Sequence, residues 1–282
     1  MSHCLLVDAA TLLRELAHPG AKTVVVDTRF DLADTASGER QYRDSHVPGS
    51  FYLHLDRDLS AARTGRNGRH PLPERAVFAR TVGALGIAPD TPVVALDAHG
   101  GVYAARLWWM LRWLGHDDVA LLDGGIAAWQ RAGGPLTDAA TPATGGAPYP
   151  DRPSLVSTID ADGVATRAPR HAVVDARAPE RFRGEVEPID AVGGHVPGAL
   201  NRFHRANLDD AGAFRSPAAL HDEFGALLGG RAPAEIIHSC GSGVTACHNL
   251  FAMELAGLPG SFLYPGSWSE WSSDPDRPIA RG

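Results

Sequence analysis

This chain is written twice, and no other feature constrains its fold as strongly. The run Val24-Val25-Val26 leads into Asp27-Thr28-Arg29, and Ala172-Val173-Val174 leads into Asp175-Ala176-Arg177. His46-Val47-Pro48-Gly49 returns as His195-Val196-Pro197-Gly198. Val93-Val94-Ala95-Leu96-Asp97 parallels Glu235-Ile236-Ile237-His238-Ser239-Cys240, and Leu122-Asp123-Gly124-Gly125 followed by Trp129 parallels Tyr264-Pro265-Gly266-Ser267 followed by Trp271. The offset stays between 142 and 149 residues in a chain of 282. A repeat on this scale means two copies of one domain rather than a solenoid of small units.

Each copy alternates short β-branched runs with longer segments of helical period. That pattern predicts an α/β fold: tandem duplicated domains, each a parallel sheet with helices on both faces. In the segment 244–255, Val244, Cys247, Phe251 and Leu255 share one helical face. Between the copies a stretch rich in Pro, Gly, Ala and Thr reads as a connector. The expected organisation is an N-terminal domain at 1–135, a linker at 136–153 and a C-terminal domain at 154–282.

Composition removes several function classes. A formal charge of −7 argues against nucleic acid as the main partner, because phosphate binding needs a basic surface. No stretch approaches the ~20 apolar residues of a membrane helix. The first residues lack both a basic leader with an apolar run and an acid-poor amphipathic pattern, so a cytoplasmic protein is expected. Only Cys4, Cys240 and Cys247 are present, without a Cys-x-x-Cys pair. That is neither a disulfide framework nor a thiolate metal site, and no metal is expected.

Differences between the copies locate the chemistry. After the third long apolar run the C-terminal copy reads Cys240-Gly241-Ser242-Gly243-Val244-Thr245-Ala246, where the N-terminal copy reads Asp97-Ala98-His99-Gly100-Gly101-Val102-Tyr103. The cysteine sits where a strand should turn into a helix, the position at which open α/β sheets bind ligands. Gly241 and Gly243 admit backbone conformations closed to other residues, so successive N–H groups can converge as an anion nest. A helix N-terminus contributes about 0.3–1 kcal/mol to holding a charge, whereas each hydrogen bond to a charged group contributes about 1.5–3 kcal/mol. The N–H cradle should therefore dominate in holding a sulfur anion on Cys240. A lone cysteine is commonly a buried, inert hydrophobe; the Gly-x-Gly frame and the strand-end position argue against that reading here.

The CGSGVTA loop, the repeated DxR and HVPG segments and the tandem layout resemble the two-domain rhodanese family of sulfurtransferases. The loop is most similar to that of the 3-mercaptopyruvate sulfurtransferases within the family. The resemblance spans nearly the whole chain. It implies that only the C-terminal copy carries the nucleophile, Cys240, and that catalysis is ping-pong. Cysteine takes sulfane sulfur from a small anionic donor as a persulfide and passes it to a thiol or cyanide, with a thioredoxin-like reductant as a further candidate partner. No cofactor is implied.

Further residues follow from the same resemblance. Arg181 matches the family's substrate-anchoring arginine, and a guanidinium suits a carboxylate or sulfonate. Gly241, Gly243, Val244, Thr245 and Ala246 supply the substrate-binding loop. Asp56 and His70, the latter in His70-Pro71-Leu72-Pro73, match positions proposed to form a relay with Ser242. Such a relay could protonate the enolate left when mercaptopyruvate loses its sulfur.

Two departures bear on the donor. Relatives specialised for mercaptopyruvate carry a second arginine after a Glu-Pro pair, whereas here Glu187-Pro188 is followed by Ile189-Asp190. Conversely, the basic stretch Thr64-Gly65-Arg66-Asn67-Gly68-Arg69 is similar to that of bacterial enzymes called thiosulfate sulfurtransferases, so thiosulfate is the alternative donor. A cysteine phosphatase would need an arginine six residues after the nucleophile, where this chain has Ala246. A non-enzymatic sulfur-sensing or interaction module is the remaining alternative, and an intact Cys240 loop speaks against it. Asp27, Arg29, Asp175 and Arg177, present in both copies, are expected to be structural ion pairs. Trp268 is expected near the site, and Cys247 is expected to pack on its helix.

Overall fold

The four-residue apolar runs become the central strands of two parallel sheets, which is where chains with both faces covered place their β-branched residues. The computed structural model describes residues 5–167 and 170–282, so Cys4 lies outside the described residues. The described residues form two compact units. One comprises residues up to Ala61 with Pro73–Leu155 and Ala211–Ala213; the other comprises Ala62–Leu72, Val156–Asp210 and Phe214–Gly282.

In the first unit the strands are β1 (Leu6–Val7), β2 (Val24–Asp27), β3 (Phe51–Tyr52), β4 (Val93–Leu96) and β5 (Val119–Leu122). The helices are α1 (Ala9–Leu16), α2 (Ser37–Asp44), α3 (Leu55–Asp58), α4 (Arg75–Ala84), α5 (Val102–Trp113) and α6 (Gly125–Arg131). The second unit repeats the plan with β6 (Ser157–Thr158), β7 (Ala172–Asp175), β8 (Leu200–Asn201), β9 (Ile236–Ser239) and β10 (Phe262–Leu263). Its helices are α7 (Ala161–Arg167), α8 (Pro179–Phe182), α9 (Pro217–Leu228), α10 (Thr245–Leu255) and α11 (Ser267–Trp271). The sheet orders are β1-β5-β4-β2-β3 and β6-β10-β9-β7-β8, the same order in each copy, and every pairing is parallel.

Equivalent residues hold each copy together in the same way. Trp129 and Trp271 are both 1% exposed, and each indole N–H donates to a proline carbonyl, Pro135 or Pro278, at 2.9 Å. The DxR pairs lie at the ends of β2 and β7. Arg29 Nε reaches both carboxylate oxygens of Asp27 at 3.1 and 2.9 Å while its Nη2 donates to Ser45 O at 2.7 Å. Arg177 does the same with Asp175 and with Gly194 O. Each arginine thus ties its strand end to the residue before the HVPG turn. Each HVPG histidine forms an antiparallel bridge to the stretch that follows the copy's last helix, His46 with Thr137 and His195 with Ala280. A buried ion pair saturated by hydrogen bonds at both ends is a structural device, as its presence in both copies suggested.

The connecting stretch is laid down on the first unit. Thr137 pairs with His46, and Tyr149, 3% exposed, donates its N–H to Ala79 O at 2.9 Å. The segment 62–72, assigned to the N-terminal domain by the sequence boundaries, belongs instead to the second compact unit. It is held there by Gly68, whose φ of +80° lets the backbone pass Gly266 so closely that a Cβ would come within 2.8 Å of Gly266 O. The Arg69 N–H donates to Ser269 Oγ at 3.0 Å. Such a contact between segments about 200 residues apart carries no periodic signal, so composition could not reveal it.

Candidate active site

Cys240 follows the last residue of β9 and is 1% exposed. Its Sγ accepts the backbone N–H groups of Ser242 at 3.4 Å and Gly243 at 3.1 Å. The helix α10 begins five residues after the cysteine, so its unpaired first-turn N–H groups start at the rim of this loop. Gly243 has φ +76°, and a Cβ there would sit 2.3 Å from Pro265 O. Only glycine fits that turn, for both conformational and steric reasons.

The start of α11 braces the loop from the other side. Trp268 N–H donates to Cys240 O at 3.0 Å, Ser269 N–H donates to Gly241 O at 2.9 Å, and Cys240 N–H donates to Ser267 Oγ at 3.1 Å. Ser267 was not singled out by sequence reasoning. It has φ +52°, the sole positive φ among described non-glycine residues, and its counterpart Gly125 has φ +57°. A left-handed serine costs about 1–2 kcal/mol relative to glycine. The serine hydroxyl offsets that cost by accepting from Cys240 N–H while donating to Tyr264 O at 2.9 Å. The signal that could have found it is a serine aligned with a glycine of the other copy.

The first unit fills the equivalent loop with a side chain of its own. Asp97 occupies the cysteine position, and its carboxylate accepts four backbone N–H groups: His99 at 2.8 Å, Gly101 at 3.0 Å, Tyr103 at 2.7 Å and Ala104 at 3.1 Å. One copy therefore has an anion seated in the nest as part of the chain, and the other has a thiol at its mouth.

Ser242 adds a side chain to the loop. Its Oγ lies 2.7 Å from His70 Nδ1, and both residues are buried. Asp56 is half-buried on α3 of the first unit, its N–H donating to His54 Nδ1 at 3.1 Å. Thr245 and Ala246 form the first turn of α10 after Val244. Cys247 is fully buried, and its thiol donates to Gly243 O at 3.2 Å, in keeping with a packed residue. Trp268 is buried, donates its indole N–H to Val192 O at 2.8 Å, and lies beneath the Arg177 guanidinium at 4.9 Å.

Arg181 lies in α8 with its guanidinium engaged by two carboxylates. Nε and Nη2 donate to Glu187 at 3.2 and 2.7 Å, and Nη2 also reaches Asp190 at 3.3 Å. Burial pushes the Glu187 carboxyl up, but the Arg181 hydrogen bonds and the N–H groups of Asp190 and Ile189 outweigh it and hold the group below its ordinary value. Asp190 additionally pairs with Arg69. By contrast Arg183 forks onto exposed Glu185. Among the described residues no group of His, Cys, Asp and Glu could hold a metal, and no helix is long and apolar enough to cross a membrane.

Comparisons with known proteins agree with this architecture. The rhodanese-like domain model matches twice, over residues 8–132 and 160–274. A Pseudomonas aeruginosa protein named "Probable 3-mercaptopyruvate sulfurtransferase" is 48% identical over the whole of both chains. The thiosulfate sulfurtransferase of Cricetulus griseus is 34% identical over 94% of this chain and 90% of its own. Among solved structures, 3-mercaptopyruvate sulfurtransferase from Leishmania major superposes with a TM-score of 0.84 at 30% identity, covering 95% of this chain and 74% of that one. With two matched domains spanning most of its length and relatives this similar over the full chain, the protein belongs to the rhodanese-like family.

Proposed function

We propose that this protein is a sulfurtransferase that carries sulfane sulfur as a persulfide on Cys240, with 3-mercaptopyruvate as donor and a thiol or cyanide as acceptor. The observation that carries the proposal is the Cys240 Sγ at the end of β9, accepting two backbone N–H groups at 3.4 and 3.1 Å. The Cys240 thiolate attacks the donor sulfur, a new S–S bond forms, and the donor's C–S bond breaks with its electron pair left on carbon as the pyruvate enolate. The enolate carbon gains the hydrogen that the donor thiol gives up, so mercaptopyruvate and thiolate become pyruvate and a persulfide anion, with no external oxidant. The acceptor then attacks the outer sulfur and returns Cys240 to a thiolate.

Asp97 supports assigning the loop N–H groups to the outer sulfur. In aspartate the carboxylate oxygens stand two bonds beyond Cβ, as the outer sulfur of a cysteine persulfide does. The N–H groups that cradle Asp97 correspond to the Ser242–Cys247 stretch, so Gly241, Gly243, Val244, Thr245 and Ala246 are the proposed persulfide and substrate cradle. Arg181 is the proposed anchor for the donor's anionic end. Ser242 and His70, 2.7 Å apart within the second unit, are proposed to move the proton to the enolate.

Intact-mass measurement after donor treatment tests the central step. One added sulfur is expected on the native protein and none on Cys240→Ser; absence of a Cys240-dependent adduct would overturn the assignment. Thiosulfate is the second reading of the donor, favoured by the similarity to the Cricetulus griseus thiosulfate sulfurtransferase. A thiosulfate kcat/KM clearly above that for mercaptopyruvate would replace the donor and leave the persulfide step intact. A cytoplasmic setting and a thioredoxin-like reductant as acceptor belong to the same proposal, the former supported by three cysteines in 282 residues.

A further inference from the structure

A second arginine stands at the Cys240 loop. An added Cβ on Gly241 would come within 2.6 Å of Arg69 Nη2 and 3.8 Å of both Arg181 Nη1 and Nη2, so the two guanidiniums converge on the residue next to the nucleophile. Between them lies one carboxylate: Asp190 Oδ1 pairs with Arg69 Nη1, and Asp190 Oδ2 accepts from Arg181 Nη2 at 3.3 Å. The Asp190 side chain is 6% exposed and the two arginines 18% and 17%. Arg69 is held in place through its backbone, by the Ser269 hydroxyl and the close pass of Gly68 over Gly266.

Arg177, Arg181 and Arg69 supply three positive charges here, and Asp175, Glu187 and Asp190 supply three negative ones. Asp175 and Glu187 are each bound at several points. Asp190 differs, because its carboxylate does only what a ligand's carboxylate could do equally well, bridging one nitrogen of Arg69 and one of Arg181 where both guanidiniums approach Gly241.

We infer that Arg69 and Arg181 form a two-arginine clamp for the anionic end of the sulfur donor, and that Asp190 is an internal carboxylate which the donor displaces. The inference rests on the sulfurtransferase reading for the identity of the anion, either a carboxylate or the sulfonate end of thiosulfate. It makes Arg69 a specificity residue and Asp190 a built-in competitor.

The test uses the full-length protein with Arg69→Gln and Asp190→Asn, each checked for a native melting transition. With 3-mercaptopyruvate and with thiosulfate, Arg69→Gln is expected to raise KM at least tenfold with kcat within about threefold, and Asp190→Asn to lower KM at least threefold. An effect on mercaptopyruvate alone assigns the clamp to carboxylates; an effect on both donors assigns it to oxyanions in general. Alkylation of Cys240 provides a readout independent of turnover. The ratio of iodoacetate to iodoacetamide rates, Cys240→Ser serving as the blank, should fall at least fivefold in Arg69→Gln and rise in Asp190→Asn. Unchanged KM and unchanged ratio in Arg69→Gln would overturn the clamp, and a KM raised by Asp190→Asn would overturn the competitor. If the ratios shift as expected while no donor transfers sulfur, the clamp stands and the sulfurtransferase reading falls.

Discussion

Gly243 shows how narrow the tolerance is at a single residue. Its φ of +76° disfavours any side chain, and a Cβ would sit 2.3 Å from the carbonyl of Pro265, a backbone atom that cannot swing away. Gly243→Ala should therefore destabilise the second unit by about 1–3 kcal/mol and displace an N–H that contacts Cys240 Sγ. Turnover should fall at least tenfold, measured alongside a urea titration. Ser267 is the milder case, since glycine suits its φ of +52°. Ser267→Gly should leave stability within about 1 kcal/mol of native, because relief of strain offsets the lost hydroxyl. Its effect should appear in the rate of Cys240 persulfide formation, where the Cys240 N–H has lost its acceptor. These two residues differ in legibility. The glycines around Cys240 are recognisable in the sequence as turn formers, whereas the serine's role depends on a backbone angle and on a partner 27 residues away.

At the scale of the element, the strand–loop–helix unit is one design used for two purposes. β4 and α5 enclose a carboxylate, and β9 and α10 enclose a thiol. In the first unit the nest is satisfied from within by Asp97, so removing that carboxylate strands several N–H groups at once. Asp97→Ala should cost about 3 kcal/mol or more, since each buried donor left unpaired costs about 1–3 kcal/mol and the loop relaxes only in part. Urea unfolding checks this, and a loss below 1 kcal/mol would show that the loop tolerates an empty nest. The DxR element predicts a similar figure. Arg29→Ala leaves Asp27 buried at the end of β2, where burial already pushes its carboxyl up despite the Arg29 hydrogen bonds, and about 3–5 kcal/mol should be lost. The repetition made these elements readable in advance: a residue type present in both copies reports packing, and one present in a single copy reports chemistry. Arg181 and His70 have no such internal control, and the roles proposed for them rest on the resemblance to a family.

For the molecule as a whole, acid sensitivity follows from histidines kept neutral inside each unit. His238 on β9 is fully buried, with Nε2 3.1 Å from Met253 Sδ, and burial lowers its pKa to about 3. His116 in the first unit is also lowered by burial, its ring set between Tyr149 Oη and Asp118 O. Below the unfolded value of about 6.5 the unfolded chain binds protons that these folded rings refuse. Stability from this source is therefore complete above about pH 6.5 and falls as pH drops, by up to about 1.4 kcal/mol per pH unit for each group. Comparing urea midpoints at pH 7.5 and 5.0, His238→Gln should show a smaller acid loss than the native protein; an equal loss would remove His238 as a source. What the sequence by itself determined is the duplication, the parallel α/β class, the presence of a loop cysteine in one copy alone and the glycine frame around Cys240, because periodicity and local turn chemistry are properties of neighbouring residues. What only the tertiary structure decided is the company Cys240 keeps. The docking of 62–72 on the second unit, the contact of His70 with Ser242 and the placing of Asp190 between Arg69 and Arg181 join residues from about 10 to 200 positions apart. Such contacts are fixed by packing, hydrogen bonding and charge balance in three dimensions, which leave no period in the chain to read.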